Sequence, residues 1–354
     1  MKSLRKFAVM SAALLSWNAT PAQPAKPQPA PAPSVQAASF YKGKTITLVV
    51  SAEAGTLTDL IARQFKDYFS RHIPGKPYIV VSNLSGAGGM IAAARLQTQD
   101  PKDGTVIGFL QRNNLYLPLV ENDHKNFDPR QVSWLGSLDK TAYAMAVSYK
   151  SPVKTAPEMF TKRTIIGATG FASDNRTLPA LMNKYAGTQF RIINGYTGRG
   201  EVYIAMDRGE VDGWASTIEG LLQPEQMAMI KRGLLIPVMH FAWTSHPAFP
   251  KLPNLSNYVK DPEGKAVFDF FLKSFEPGRP LAVPKGVPAD RLAVLREAFD
   301  ATMKDPQFLA AMKLRGYAVD AISGQGIDTL LTQLYTTSPK TLSAVREIIK
   351  PPRK

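Results

Sequence analysis

The stretch ITLVVSAEAGTLTDLIARQF, residues 46–65, changes its hydrophobic period halfway. Ile46 to Val50 is a continuous apolar run of strand length, whereas Leu60, Ile61, Phe65 and Phe69 recur at three- and four-residue steps, the spacing of one helix face. Gly55 divides the two, and Thr56 with Asp59 three positions on reads as a capping-box-like helix start. The same grammar recurs three times. Tyr78 to Val81 leads through Asn83-Leu84-Ser85-Gly86-Ala87-Gly88-Gly89 to a helix over Met90 to Leu96; Thr164 to Gly167 leads through Ala168-Thr169-Gly170-Phe171-Ala172-Ser173 to a helix near Leu178 to Tyr185. Phe190 to Ile193 leads through Asn194-Gly195-Tyr196-Thr197-Gly198 to a helix over Glu201 to Asp207. Four such units predict an α/β protein with parallel sheets covered by helices. Ligands of such sheets sit beyond the carboxyl ends of the strands, and two early ends with two late ones imply a cleft with two walls.

The glycine-rich turns do not carry nucleotide fingerprints. Neither Gly55 nor Gly86 opens GxxxxGK[ST], and the run from Gly86 ends on Ile91 where GxGxxG needs a glycine. A helix start still offers unpaired N–H groups and a partial positive charge, which favour an anion, here a carboxylate. Each hydrogen bond to a charged group contributes ~1.5–3 kcal/mol, whereas micromolar binding needs roughly −8 kcal/mol, so several donors from both walls are required. Any one of these glycines alone is an ordinary turn residue. Their recurrence at equivalent places is what points to a shared site.

Catalytic chemistry has little to stand on. The four histidines, His72, His124, His240 and His246, match no metal-ligand spacing and read as structural or surface residues. Asn83-Leu84-Ser85-Gly86-Ala87 lacks the leading glycine of a GxSxG elbow, and without cysteine there is no thiol nucleophile. Glu210 and Asp212 in RGEVDGW read as exposed charge on a short strand. No catalytic residue, metal or cofactor is expected.

Composition adds a compartment. The 354 residues are 44% hydrophobic, enough for two ordinary domains. At the N-terminus Lys2, Arg5 and Lys6 precede an apolar stretch from Phe7 to Trp17, with Thr20-Pro21-Ala22 as a cleavage candidate: a secretory signal peptide over 1–22, too short to span a bilayer. Cleavage as late as Ala37 or Ala38 also ends on small residues. A proline-rich linker over 23–39 follows and is expected to stay extended. With no cysteine the exported product has neither a disulfide nor an N-terminal lipid anchor, so a periplasmic, freely diffusing monomer is expected. The net charge of +15 drops to +12 without the three signal cations, yet basic residues are interspersed with acids throughout. That distribution does not read as a nucleic-acid surface.

Several motifs in order resemble one family. YKGKTITLVV with Gly55 and Thr58-Asp59-Leu60-Ile61-Ala62-Arg63, Asn83 with Gly86-Ala87-Gly88-Gly89, Pro101 with Asp103-Gly104-Thr105, and the later GYTGRGEVYIAMDRGEVDGW resemble the extracytoplasmic solute receptors of tripartite tricarboxylate transporters, the Bug family. The likeness runs from Phe40 to about Lys350. It implies a two-lobed periplasmic-binding-protein fold, a type II Venus flytrap with two interlobe crossovers, with 40–140 and 256–354 as lobe I and 141–255 as lobe II. It also implies a ligand carboxylate held by backbone groups of the two early loops, partly through ordered waters. Carried over by position, the ligand-binding residues are Gly55, Thr56, Thr58 and Asp59; Ser85, Gly86, Ala87 and Gly88; Gly170, Phe171, Ala172 and Ser173; and Tyr196, Thr197 and Gly198. Gln111, Arg112 and Asn113, after the strand Val106 to Leu110, also face the cleft in relatives, and Arg112 offers bidentate pairing with an anion. Two departures bear on the ligand set: Ala54-Gly55-Thr56 stands where Pro-Gly-Gly is common, and Leu84-Ser85 where Arg-Pro is usual.

The resulting expectation is a periplasmic receptor, not an enzyme, that captures a small organic anion and hands it to the two membrane subunits of a tripartite transporter. The alternative is a ligand-sensing receptor that serves a membrane sensor and has no transporter of its own.

Overall fold

The apolar run after Lys44 forms the first strand of a parallel array, as its period predicts. The computed structural model describes residues 35–121, 126–171 and 173–350; the signal peptide, the proline-rich stretch through residue 34, His124 and Ala172 lie outside the described residues. Helix α1 (Val35–Phe40) precedes β1 (Thr45–Val50), so 35–39, read from the sequence as extended linker, is helical. The last proline of the stretch is Pro33, and VQAASF contains nothing that bars a helical turn.

β1, α2 (Leu57–His72), β2 (Tyr78–Asn83), α3 (Met90–Thr98) and β3 (Val106–Phe109) follow as two βαβ units, with β1 pairing parallel to both β2 and β3. A short 3-10 turn (Arg112–Leu115) leads to α4 (Leu117–Val120) and β4 (Val132–Ser137). The second array holds β5 (Tyr143–Ser148), β6 (Thr164–Gly167), α5 (Asp174–Ala186), β7 (Phe190–Ile193), α6 (Arg199–Arg208), β8 (Gly213–Thr217), α7 (Ile218–Leu221), α8 (Pro224–Lys231) and β9 (Leu235–His240). The chain returns through α9 (Pro262–Phe275) and β10 (Pro280–Pro284). It ends in α10 (Ala289–Thr302), α11 (Pro306–Leu314), β11 (Ile322–Ser323), α12 (Gly324–Tyr335) and α13 (Pro339–Ile349).

The two sheets share one plan. Their orders are β11-β4-β10-β3-β1-β2 and β7-β6-β8-β5-β9. Each has a three-stranded parallel core, β2-β1-β3 or β7-β6-β8, flanked by a strand that enters antiparallel after a crossover, β10 beside β3 and β5 beside β8. Antiparallel entry is possible because the chain arrives from the other sheet and needs no covering helix on the way. The carboxyl ends of β1, β2, β3 and β6 consequently converge on one region.

Local chemistry explains the helix boundaries. Thr56 caps α2 by accepting from Asp59 N at 3.4 Å, and Arg71 and His72 occupy its last turn, where cations suit the helix dipole. Its apolar face buries Ile61, Ala62, Phe65 and Phe69. Phe65 stacks on Phe69 with centroids 4.8 Å apart and lies within 6.3 Å of Phe109, Phe299 and Phe308, which come from β3, α10 and α11. In the second array, α5, α9 and α13 share a core in which Leu178, Phe271 and Val345 pack with Tyr143 and Met145 of β5.

Two polar expectations resolve differently. Glu210 is exposed, but Asp212 lies in the turn before β8 rather than on a strand; its Oδ2 accepts from Ile165 N at 2.7 Å and so ties that turn to β6. His72 bonds Asp305 at 3.0 Å, and buried His240 lies 2.9 Å from the Phe249 carbonyl, both within the scaffold.

Because Phe65 is fully buried where four elements meet, Phe65→Ala is expected to lower unfolding free energy by about 3–5 kcal/mol. Urea denaturation measures it; a loss below about 1 kcal/mol would mean that this aromatic cluster collapses around the cavity.

Candidate functional site

Three turns of the first array and one of the second enclose a cleft of about 490 Å³. From the first come Thr58, Gly88, Gln111, Arg112 and Asn113. The second contributes Thr169, Ser173 and Asp174, while Tyr116, Phe275 and Arg279 complete the lining together with Leu110 and Gly278.

The Arg112 turn is fastened to both of its neighbours. Gly86, Ala87, Gly88 and Gly89 all have positive φ, at 119°, 46°, 61° and 88°, so the chain makes a tight left-handed run in which only Ala87 has a side chain to strain. That run turns the Gly88 carbonyl toward two amides: Asn113 Nδ2 donates to it at 3.0 Å and Asn114 Nδ2 at 3.4 Å. Gln111 Nε2 donates to Ser51 O at 3.1 Å, which adds the end of β1. Three strand ends thereby hold the backbone from which Arg112 projects.

Across the cleft, Arg112 forms an ion pair with Asp174, the first residue of α5. Tyr143 Oη donates to the same carboxylate oxygen at 2.6 Å, and the Arg112 guanidinium lies 5.7 Å from the Tyr143 ring centroid. Burial opposes the charge on Arg112, but Asp174 outweighs it and holds the guanidinium firmly protonated, above its ordinary value. Burial likewise pushes the phenols of Tyr143 and Tyr116 up, so both remain neutral donors. Behind this pair, Arg279 is bound to the buried carboxylate of Asp139.

At three of the four helix starts the protein supplies its own anion: Asp174 at α5, and Asp59 and Glu201 at α2 and α6. Gly55 N donates to Asp59 Oδ2 at 2.9 Å, and Arg63 and Asn83 complete the carboxylate shell at 3.0 and 2.9 Å. Burial alone would raise the Asp59 carboxyl, but these hydrogen bonds hold it below the usual carboxylate range. At α6, Thr197 N and Oγ1 both donate to Glu201 Oε2, at 2.7 and 2.9 Å, which lowers the Glu201 carboxyl in turn. Helix α3 differs, since its first turn carries no acid.

Of the residues singled out from the sequence, Thr58, Gly88, Arg112, Asn113 and Ser173 come together in the cleft lining, with Gln111 beside them. Gly55, Thr56, Asp59, Ser85, Gly86, Ala87, Gly170, Phe171, Tyr196, Thr197 and Gly198 lie in the same four turns but outside that lining. Thr56 Oγ1 donates to Glu53 O at 2.7 Å, which commits its hydroxyl within the turn. Sequence reasoning missed Asp174, Tyr116, Phe275 and Arg279. Asp174 follows the glycine-bearing turn directly, and an acid in a first helical turn reads as dipole compensation. The others sit in apolar or Pro-Gly contexts that carry no site signal.

The chain resembles known proteins over most of its length. A UPF0065 protein from the gbd 5′ region of Cupriavidus necator is 26% identical over 283 residues, covering 78% of this chain and 80% of the relative. Among solved structures, a ligand-free TctC solute-binding protein from Polaromonas superposes with a TM-score of 0.67 at 18% identity, covering 88% of this chain and 99% of that one. MatC from Rhodopseudomonas palustris with bound malate gives 0.58 at 18% identity, covering 87% and 99%, and an R. palustris protein with adipate gives 0.61 at 17% identity, covering 85% and 97%. These neighbours share the two-lobed α/β architecture. Residues 61–342 match the tripartite tricarboxylate transporter family receptor, TctC, and the chain belongs to this family of solute-binding receptors.

Proposed function

We propose that the protein is exported to the periplasm, captures a small organic carboxylate in the cleft between its sheets, and delivers it to the two membrane subunits of a tripartite transporter. The observation that carries this reading is Arg112, a guanidinium in a cleft sized for a small acid; among the described residues only one of its nitrogens is spent, on Asp174. An arginine fork presents five N–H donors, so donors remain for a ligand carboxylate. The malate and adipate complexes of relatives support the same chemistry. In this reading Thr58, Gly88, Gln111, Asn113 and Ser173 complete the polar contacts, and the remaining residues of the four turns hold these in position.

Closure is a hinge motion at the two crossovers. Segments 138–141 and 276–279 run antiparallel, with Leu138 N donating to Arg279 O, Gly278 N to Asp139 O and Thr141 N to Glu276 O at 3.2, 3.0 and 2.9 Å. Bending this ribbon moves one sheet against the other, with 40–140 and 256–354 as the first lobe and 141–255 as the second; α4, α9 and α13, which pack beside β5 and α5, shift against the first sheet in that motion.

A carboxylate at a hundred times its dissociation constant is expected to stabilise the protein by about 2.7 kcal/mol, read as a rise in melting temperature, and Arg112→Ala is expected to abolish that rise. If uncharged solutes shift the melting point and carboxylates do not, the carboxylate reading fails.

Glu219, at the start of α7, lines a small space beside the ribbon with Asp139, Thr141 and Arg279. Burial raises its carboxyl from 4.5 to about 7, with Asp139 adding to the rise and Arg279 and Arg112 reducing it. Between those values the folded protein retains a proton that the unfolded chain has released, so stability falls as pH climbs through this window and the loss is complete above about 7. Unfolding free energies measured from pH 4.5 to 7 should show this fall in the wild type, and Glu219→Gln should flatten it. Equal slopes in the two proteins would put Glu219 in contact with water.

A further inference from the structure

The charges of the cleft narrow the ligand class, an inference that rests on the carboxylate reading above. We propose that the ligand is an aminocarboxylate, a small zwitterion whose carboxylate lies on the Gly88 and Arg112 side and whose ammonium meets Asp174. The first argument is charge balance. Arg112 is paired with Asp174 and Arg279 with Asp139, so each arginine of the lining is already matched by a carboxylate. A dicarboxylate brings two further negative charges to this set and forces one of them toward Asp174. A zwitterion leaves the set neutral, and its ammonium gains a partner where a second carboxylate meets repulsion.

The second argument is acceptor capacity. Oδ2 of Asp174 takes both Arg112 and Tyr143, whereas Oδ1 takes only the adjacent Asn175 N, at 2.8 Å. A carboxylate offers about four acceptor positions, so one on Oδ1 is unspent, and Asp174 lines the cleft. The apolar part of the lining, Tyr116 and Phe275, is buried among other rings, so the polar groups beside it decide where the ligand's charges lie.

The opposite side has the reverse polarity. Helices α2 and α6 spend their starts on Asp59 and Glu201, but α3 has no acid in its first turn, and its leading turn reaches the cleft through Gly88. The first array thus presents donors and the second an acceptor. Asp174 is the specificity-determining residue in this arrangement.

Calorimetric titration of the purified protein with matched pairs tests it: γ-aminobutyrate against succinate, δ-aminovalerate against glutarate, ε-aminocaproate against adipate, and α-aminobutyrate against butyrate. At least one aminocarboxylate is expected to bind on the order of tenfold or more tighter than its counterpart, with the order reversed in Asp174→Asn. Wild-type protein that binds the dicarboxylates or butyrate as tightly as the amino compounds overturns the proposal and leaves the carboxylate reading intact. An amino preference that survives Asp174→Asn also overturns it, by removing Asp174 from the recognition. If no compound of either kind binds, both readings fall. The wild-type order is read without any variant, so the proposal stays decidable even if Asp174→Asn folds poorly.

Discussion

The ion pair between Arg112 and Asp174 is the contact on which the site depends, because its members arrive from different sheets. Arg112 stands on a turn after β3, Asp174 opens α5, and Tyr143, which binds the same carboxylate oxygen, is the first residue of β5 just past a crossover. The pair is largely shielded from solvent, with side-chain exposures of 29% and 12%. In such surroundings attraction is strong, but desolvation of both ions is costly, and the net effect on stability is small. What the arrangement does provide is direction. It ties the first residue of α5 to the turn after β3 and to the start of β5.

The same economy governs the helix starts. Every strand-to-helix turn leaves N–H groups without backbone partners, and each such end is a latent anion site. Here α2 and α6 are closed by acids from their own first turns, which fold back on Gly55 N and on Thr197 N. Asn83 and Arg63 tie the Asp59 carboxylate to the neighbouring strand. The turn before α3 instead directs its Gly88 carbonyl to Asn113 and Asn114. The turn before α5 also closes on its own side chains, Thr169 N on Asn175 Oδ1 and Gly170 N on Ser173 Oγ, while Asp174 reaches across the cleft to Arg112.

These contacts explain how much was legible beforehand. Strand and helix periods are local, so the four α/β units appear where the apolar spacing predicts them, with α5 beginning earlier than its apolar residues because Asp174 and Asn175 are polar. The Gly-rich turns also mark the right ends of the strands. Which turn residue faces the cleft is not local. The Thr56 hydroxyl bonds Glu53 and the Asp59 carboxylate bonds Gly55, partners decided by the turn's own geometry. Asp174 and Arg279 depend on contacts made 62 and 140 residues apart in sequence, Asp174 with Arg112 and Arg279 with Asp139, and no period or motif records them.

The surface and the cleft therefore act on anions in different ways. A net charge of +15 over the whole chain raises the local concentration of small acids, but charges on an exposed surface are screened within a Debye length of about 8 Å at physiological salt. This attraction draws all anions alike and weakens as salt rises. Inside the cleft, Asp139 and Asp174 cancel Arg279 and Arg112 over a few ångströms, where salt penetrates poorly, so the long-range pull ends at the entrance. Selection beyond that point falls to the shape and order of individual charges. A strongly basic protein can in this way hold a cleft whose paired charges nearly cancel.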